Sequence, residues 1–111
     1  MSAVDDSTRL QHMLEAALKI RRFTREYSAS DLKDHELLAL AVIRLLEIIG
    51  EAAAHVSKTT CNEMPDIPWS HVVGMRNRLI HGYDVIDLDV LWKTITDDLP
   101  PLIKALRKKL R

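Results

Sequence analysis

The sequence predicts an all-α fold, an antiparallel four-helix bundle with a short C-terminal helix, on three observations. Apolar residues recur at steps of three and four along most of the chain. Glycine (3) and proline (4) are rare among the 111 residues, whereas β-rich folds spend many such residues on turns. Hydrophobic residues make up 47% and aromatics only 5%, so long amphipathic elements must build a core from Leu, Ile, Val and Ala. A chain of this length supports one core, so residues 1–111 are read as a single domain.

Residues 5 to 26 form the first predicted helix, because Leu10, Met13, Leu14, Ala17, Leu18 and Ile20 make one apolar face. Arg21, Arg22 and Arg25 follow near its end, where cations suit the helix dipole. Ser28 and Asp31 have near capping-box spacing, and Ser30 or Asp31 is the candidate cap of a second helix reaching about His55. That helix holds Leu37, Leu38, Leu40, Ala41, Ile43, Leu45, Leu46, Ile48 and Ile49. The arc is wider than one partner helix covers, which calls for a central position or a second buried face in a dimer. Residues 58 to 67 read as irregular. Pro68 then opens a third helix through Trp69, Val72, Val73, Met75, Leu79 and Ile80, expected to stop at Gly82. Asp87 caps a fourth helix through Leu88, Leu91, Trp92 and Ile95. Pro100-Pro101 should interrupt it before a short basic helix over Leu102 to Leu110.

The charges cancel, with 16 Lys+Arg against 16 Asp+Glu, which excludes a strongly basic nucleic-acid coat protein but not a local basic site. Cys61 is the single cysteine and has no intramolecular disulfide partner, which fits a reducing compartment. The polar, acidic N-terminus has no signal-peptide core, and no apolar run approaches a membrane span, so a cytoplasmic protein is expected. His12, His35, His55, His71 and His81 form no compact ligand motif with Cys61 or the carboxylates, and no Walker-type or dinucleotide-binding glycine loop occurs. Neither a metal nor a cofactor is therefore expected.

Polar residues concentrate at the end of the third predicted helix: Arg76, Asn77, Arg78, His81 and Tyr83. Asn77 and His81, four apart, would share a helix face. Arg76 and His81, five apart, would lie about 140° apart around an ideal helix and roughly 7.5 Å apart along it. They can flank one cleft, or a symmetric helix pair can bring two copies to one groove. The plainer reading is that His81 caps carbonyls ahead of Gly82 and that the arginines are solvated.

The run Arg76-Asn77-Arg78-Leu79-Ile80-His81-Gly82-Tyr83 fits an Arg-x4-His-x-Tyr signature, with Trp69 and Met75 upstream. Together with Ile48-Ile49-Gly50-Glu51-Ala52 and the Asp87 to Leu99 helix containing Trp92, it resembles the HepT-like proteins of the HEPN superfamily across nearly the whole chain. These are small all-α ribonuclease toxins paired with MntA-like minimal nucleotidyltransferase antitoxins. The resemblance implies a homodimer with a shared cleft and metal-independent RNA cleavage, with tRNA a substrate for some members. It implies Arg76 and His81 as catalytic residues, Asn77 as a supporting polar residue, and Tyr83 as the residue that the partner modifies with AMP from ATP.

That chemistry is physically sensible. The RNA 2′-hydroxyl can attack its neighbouring phosphate if a base takes its proton and a cation stabilises the crowded phosphorane. Histidine moves protons near neutral pH, and arginine stays charged and matches phosphate oxygens in pairs. Arg78 stands beside this pair as a further supporting residue. Glu47 and Glu51 share a helix face with Arg44 one turn before, which ordinary ion pairing explains, while Glu51 could instead orient Arg76 or His81. Gly50 costs a helix about 1 kcal/mol against Ala, so close helix approach, with the dimer seam one candidate, is expected there. Trp69 and Trp92 are expected in the core, and the basic tail is either a solvated end or an extension of RNA contact. A non-catalytic helical dimer that presents Tyr83 to a nucleotidyltransferase, or a plain adaptor bundle, remains an alternative.

Overall fold

The computed structural model describes residues 5–81 and 85–111, with His81 described through its backbone. Among the described residues it is an all-α bundle of seven α-helical segments, with one 3-10 turn, one π-turn and one short antiparallel strand pair of two residues each.

Helix α1, Asp6–Thr24, opens where the Asp5 carboxylate accepts the Thr8 N–H at 2.8 Å, satisfying a first-turn donor. Leu10, Met13, Leu14, Ala17 and Ile20 are buried as their spacing requires, and Leu18 lies at the edge of the stripe. The helix stops at Thr24, whose buried hydroxyl donates back to the Ile20 carbonyl.

The second predicted helix is two pieces. Segment α2, Asp31–Asp34, is separated from α3, Glu36–Ala54, by His35, whose φ of −126° and ψ of 73° leave the helical region. Asp31 takes the acceptor half of a capping box, its carboxylate accepting the Ser28 N–H at 2.7 Å. Helix α3 is central, packing on α1 and on the α5 segment described below. Val42, Leu46 and Ile49 are fully buried, yet Leu37 is 82% and Leu40 50% exposed, so part of the wide apolar arc is uncovered within one chain.

The stretch expected to be irregular contains helix α4, Lys58–Glu63. Thr59, Thr60 and Asn62 are poor helix formers, and a cap outweighs them: the Ser57 hydroxyl accepts the Thr60 N–H. Asp6 fixes this cap from α1. Its carboxylate accepts the Ser57 N–H at 3.0 Å, the Ser57 hydroxyl, and the Thr60 hydroxyl at 2.6 Å. These hydrogen bonds, the Ser57 hydroxyl first, hold the Asp6 carboxyl below its ordinary range. A depressed carboxylate stabilises the fold above the unfolded-state value, and that contribution is lost as pH falls through the folded-state value. D6N should therefore be less stable than wild type in urea at neutral pH. The gap should close as the pH is taken down through the acidic range. A gap that persisted undiminished in acid would show that the carboxylate charge is not what matters.

The third helix is shorter than the spacing predicts. Segment α5, Trp69–Val73, ends at Gly74, and a 3-10 turn over Met75–Arg78 replaces the expected helix to Gly82. Strand β1, Ile80–His81, then pairs antiparallel with β2, Val85–Ile86, placing Ile80 opposite Ile86 and His81 opposite Val85. The Asp87 N–H donates to the Leu79 carbonyl at 2.7 Å. The β-branched Ile80, Val85 and Ile86 favour this ladder, which takes the backbone groups a helix would have used. The expected helical geometry of Arg76, Asn77 and His81 therefore does not apply. Trp69 lies against the core, its indole N–H donating to the Met64 carbonyl at 3.1 Å, and Trp92 also packs on the core.

Asp87 caps α6, Leu88–Lys93, through the Val90 N–H, as predicted. Pro100-Pro101 does not break the helical course of the chain. A π-turn over Thr94–Asp98 leads directly into α7, Leu99–Leu110, and both prolines fall in its first turn. The Leu99 N–H bonds the Thr94 carbonyl across this wider turn, so the register shifts where the prolines supply no donor. No helix among the described residues is long and apolar enough to cross a membrane.

Candidate active site

Arg76 projects from the 3-10 turn toward α3, where its Nε pairs with a Glu47 carboxylate oxygen at 2.5 Å. Glu47 also lies 3.6 Å from Arg44, one turn earlier on the same helix. These side chains are partly solvent-exposed, so the pairs contribute at most about 1 kcal/mol each and serve to orient the guanidinium. Among the described residues no other hydrogen bond or ion pair engages the Arg76 side chain, which is 46% exposed.

The ion pair lies in an open groove of about 330 Å³ between α3 and the α5–turn segment. Its walls include Arg44, Glu47, Glu51, Val73, Arg76 and Asn77. Arg76, Asn77 and Glu51 thus share one concavity. Glu51 lines it, while the carboxylate that holds Arg76 is that of Glu47, a residue the sequence had offered only as an ion-pair partner of Arg44.

Arg78 points elsewhere. Its guanidinium donates to the His71 carbonyl at 3.3 Å and approaches His71 Nε2 at 2.9 Å, and the same Nε2 lies 3.1 Å from an Asp98 oxygen. With its proton on Nδ1 the neutral ring accepts from Arg78, and with it on Nε2 the ring donates to Asp98. Arg78 therefore ties the 3-10 turn to α5 and, through His71, to the π-turn. His81 enters through its backbone in β1, and Tyr83 lies outside the described residues. Among the described residues no three His, Cys, Asp or Glu side chains gather closely enough to hold a metal ion.

The family described as ribonuclease HepT-like matches residues 13–108 of this chain. The chain belongs to that family. Its relatives include a Methanocaldococcus jannaschii protein named as a candidate RNase, 38% identical over 106 residues that span 96% of this chain and 97% of the relative. A Thermococcus cleftensis protein named as a candidate ribonuclease HepT is 42% identical over 92% of each chain. A further candidate RNase, from Caldanaerobacter subterraneus, is 31% identical over 92% of this chain and 91% of its own. No solved structure matches the chain at a significant level. The all-α bundle and the signature residues thus belong to a HepT-like homologue of the HEPN superfamily.

In this HepT-like chain Gly50 sets the width of the groove. A Cβ at Gly50 would lie 3.1 Å from the Val73 carbonyl oxygen and 3.4 Å from that of Val72. The close approach that its sequence position implied is thus met within the chain, against the end of α5. G50V should destabilise the fold by about 1–3 kcal/mol, because both obstructing atoms are backbone. G50A should cost much less, since about 1 kcal/mol of helix propensity offsets the crowding. Urea melts of the two variants measure this, and equal stability of G50V and wild type would remove the packing argument.

Proposed function

We propose that this chain is a homodimeric RNA endonuclease toxin that needs no metal. The observation that carries the reading is Arg76, the arginine of the HepT-like signature, paired through Nε with Glu47 in an open groove, with its side chain partly exposed. A phosphate meeting the terminal nitrogens of that guanidinium gains two charge-assisted hydrogen bonds. In the proposed reaction a histidine base, His81 or its symmetry copy, takes the 2′-hydroxyl proton. O2′ bonds to phosphorus, the P–O5′ bond breaks, and O5′ acquires a proton from an acid. The products are a 2′,3′-cyclic phosphate and a 5′-hydroxyl. Asn77 and Glu51 act as polar supports in the groove, and Arg78 positions the turn.

The uncovered Leu37 and Leu40 on α3 support a second copy as the neighbour of this face. Tyr83 is the proposed modification site for an MntA-like nucleotidyltransferase antitoxin. Its oxygen attacks the α-phosphorus of ATP, pyrophosphate leaves, and the phenolic proton is lost. The attached phosphate adds bulk and a negative charge that repels RNA.

The deciding experiment incubates the purified protein with defined RNAs, tRNA among them, in EDTA beside an H81A control and identifies the product ends. Cyclic phosphate ends from wild type alone are expected. Cleavage that EDTA abolishes would refute metal independence. Absence of cleavage with every RNA, with or without Mg²⁺, would favour a non-catalytic dimer that only presents Tyr83.

A further inference from the structure

A ribonuclease must hold a polyanion, and the groove around Arg76 is poorly equipped to do so. Its two arginines, Arg44 and Arg76, are cancelled by Glu47 and Glu51. Most of the affinity for nucleic acid comes from cations that displace condensed counterions, so the binding charge has to lie elsewhere.

It is concentrated in a second groove, of about 370 Å³, between α1 and α7. Arg21 enters it from α1, Lys104, Arg107 and Lys108 from one face of α7, and Arg111 from just past the end of that helix. No acidic residue lines this groove, and none of the five cations takes part in an ion pair among the described residues. Lys109, turned off this face, is instead paired with Glu63. The helix dipole accounts for Arg107 and Lys108 in the last turn of α7. It does not account for Lys104 further back, nor for cations of two helices converging on one concavity. Such convergence is unfavourable in the free protein, because like charges repel. From Lys104 to Arg111 the stripe runs roughly 10 Å, long enough to follow a strand rather than one ion.

We infer that the α1–α7 groove is an anchoring site for the phosphate backbone of RNA, remote in the fold from the Arg76 groove and sharing no residue with it. The inference rests on the ribonuclease reading for its occupant. The anchor supplies affinity without sequence preference, and the neutral groove is left to position the cleaved phosphate.

The test is fluorescence anisotropy of a labelled oligouridine, titrated at several salt concentrations, with the intact protein in an H81A background so that the probe survives. The triple variant K104Q/R107Q/K108Q should bind about 10²-fold more weakly at 0.1 M salt. Its log Kd against log salt slope should be shallower by about 2, because three single-strand phosphate contacts are lost. The charge-preserving K104R/R107K/K108R should bind like the parent. Circular dichroism should show the triple variant folded, with a Tm no lower than its parent. If the parent binds oligouridine and the triple variant has the same affinity and slope, the anchor is wrong and the ribonuclease reading stands. If the parent does not bind RNA at all, both fall. If the triple variant keeps RNA but loses the nucleotidyltransferase, the groove docks protein and the anchor is overturned.

Discussion

R76A should lower RNA cleavage by about 10²-fold or more while the protein stays folded and dimeric. The side chain is nearly half exposed and its partner Glu47 keeps Arg44 nearby, so removal leaves the core intact. R76K should fall almost as far. A lysine can give its charge to Glu47 or to the phosphate, but it lacks the planar fork that serves both along different edges. H81A should show a comparable loss through proton transfer. Light scattering on each variant checks that the proposed dimer, about twice 12.7 kDa, survives. Undiminished cleavage by folded R76A would remove the arginine from the reaction.

Modification of Tyr83 should silence the enzyme altogether. Intact mass after incubation with the nucleotidyltransferase, ATP and Mg²⁺ should rise by about 329 Da for each AMP attached, each of which adds a negative phosphate. Y83F should escape both the mass increase and the inhibition. The chain offers one other tyrosine, Tyr27, which packs edge-on against His35 at 5.1 Å. Mass mapped to Tyr27 with Tyr83 untouched would overturn the regulatory reading and leave the nuclease reading in place.

Much of this bundle is written in periodicity and caps. The α1 stripe, the long apolar α3 and the Asp87 cap all follow from local rules. Departures occur where a local signal meets a distant partner. Residues 75–81 carry a helical apolar pattern, but β-branched residues on both sides of 82–84 offer the backbone a competing ladder. Lys58–Glu63 looked irregular from its threonines, and the cap that makes it a helix is held by Asp6, far away in sequence. Pro100-Pro101 looked like a break because an α-helix was assumed on both sides, whereas a π-turn absorbs the pair. Of the candidate site, Arg76, Asn77 and Glu51, all named from the sequence, line one groove. Arg76 and Asn77 could be named from their motif. The choice between Glu47 and Glu51 as the partner of Arg76 depends on how α3 is rotated against the turn, which no spacing within either segment encodes.

Gly50 has a consequence for how this groove can change over time. Where α3 meets α5, the contact is a glycine against two main-chain carbonyls. Side chains can be traded by mutation, but carbonyl oxygens cannot. Substitutions at Val73 therefore alter the groove's lining without altering its span. Drift in substrate preference can proceed on the walls while the separation of Arg76 from the central helix is inherited unchanged. A single codon, the one for Gly50, is the exposed point of that inheritance.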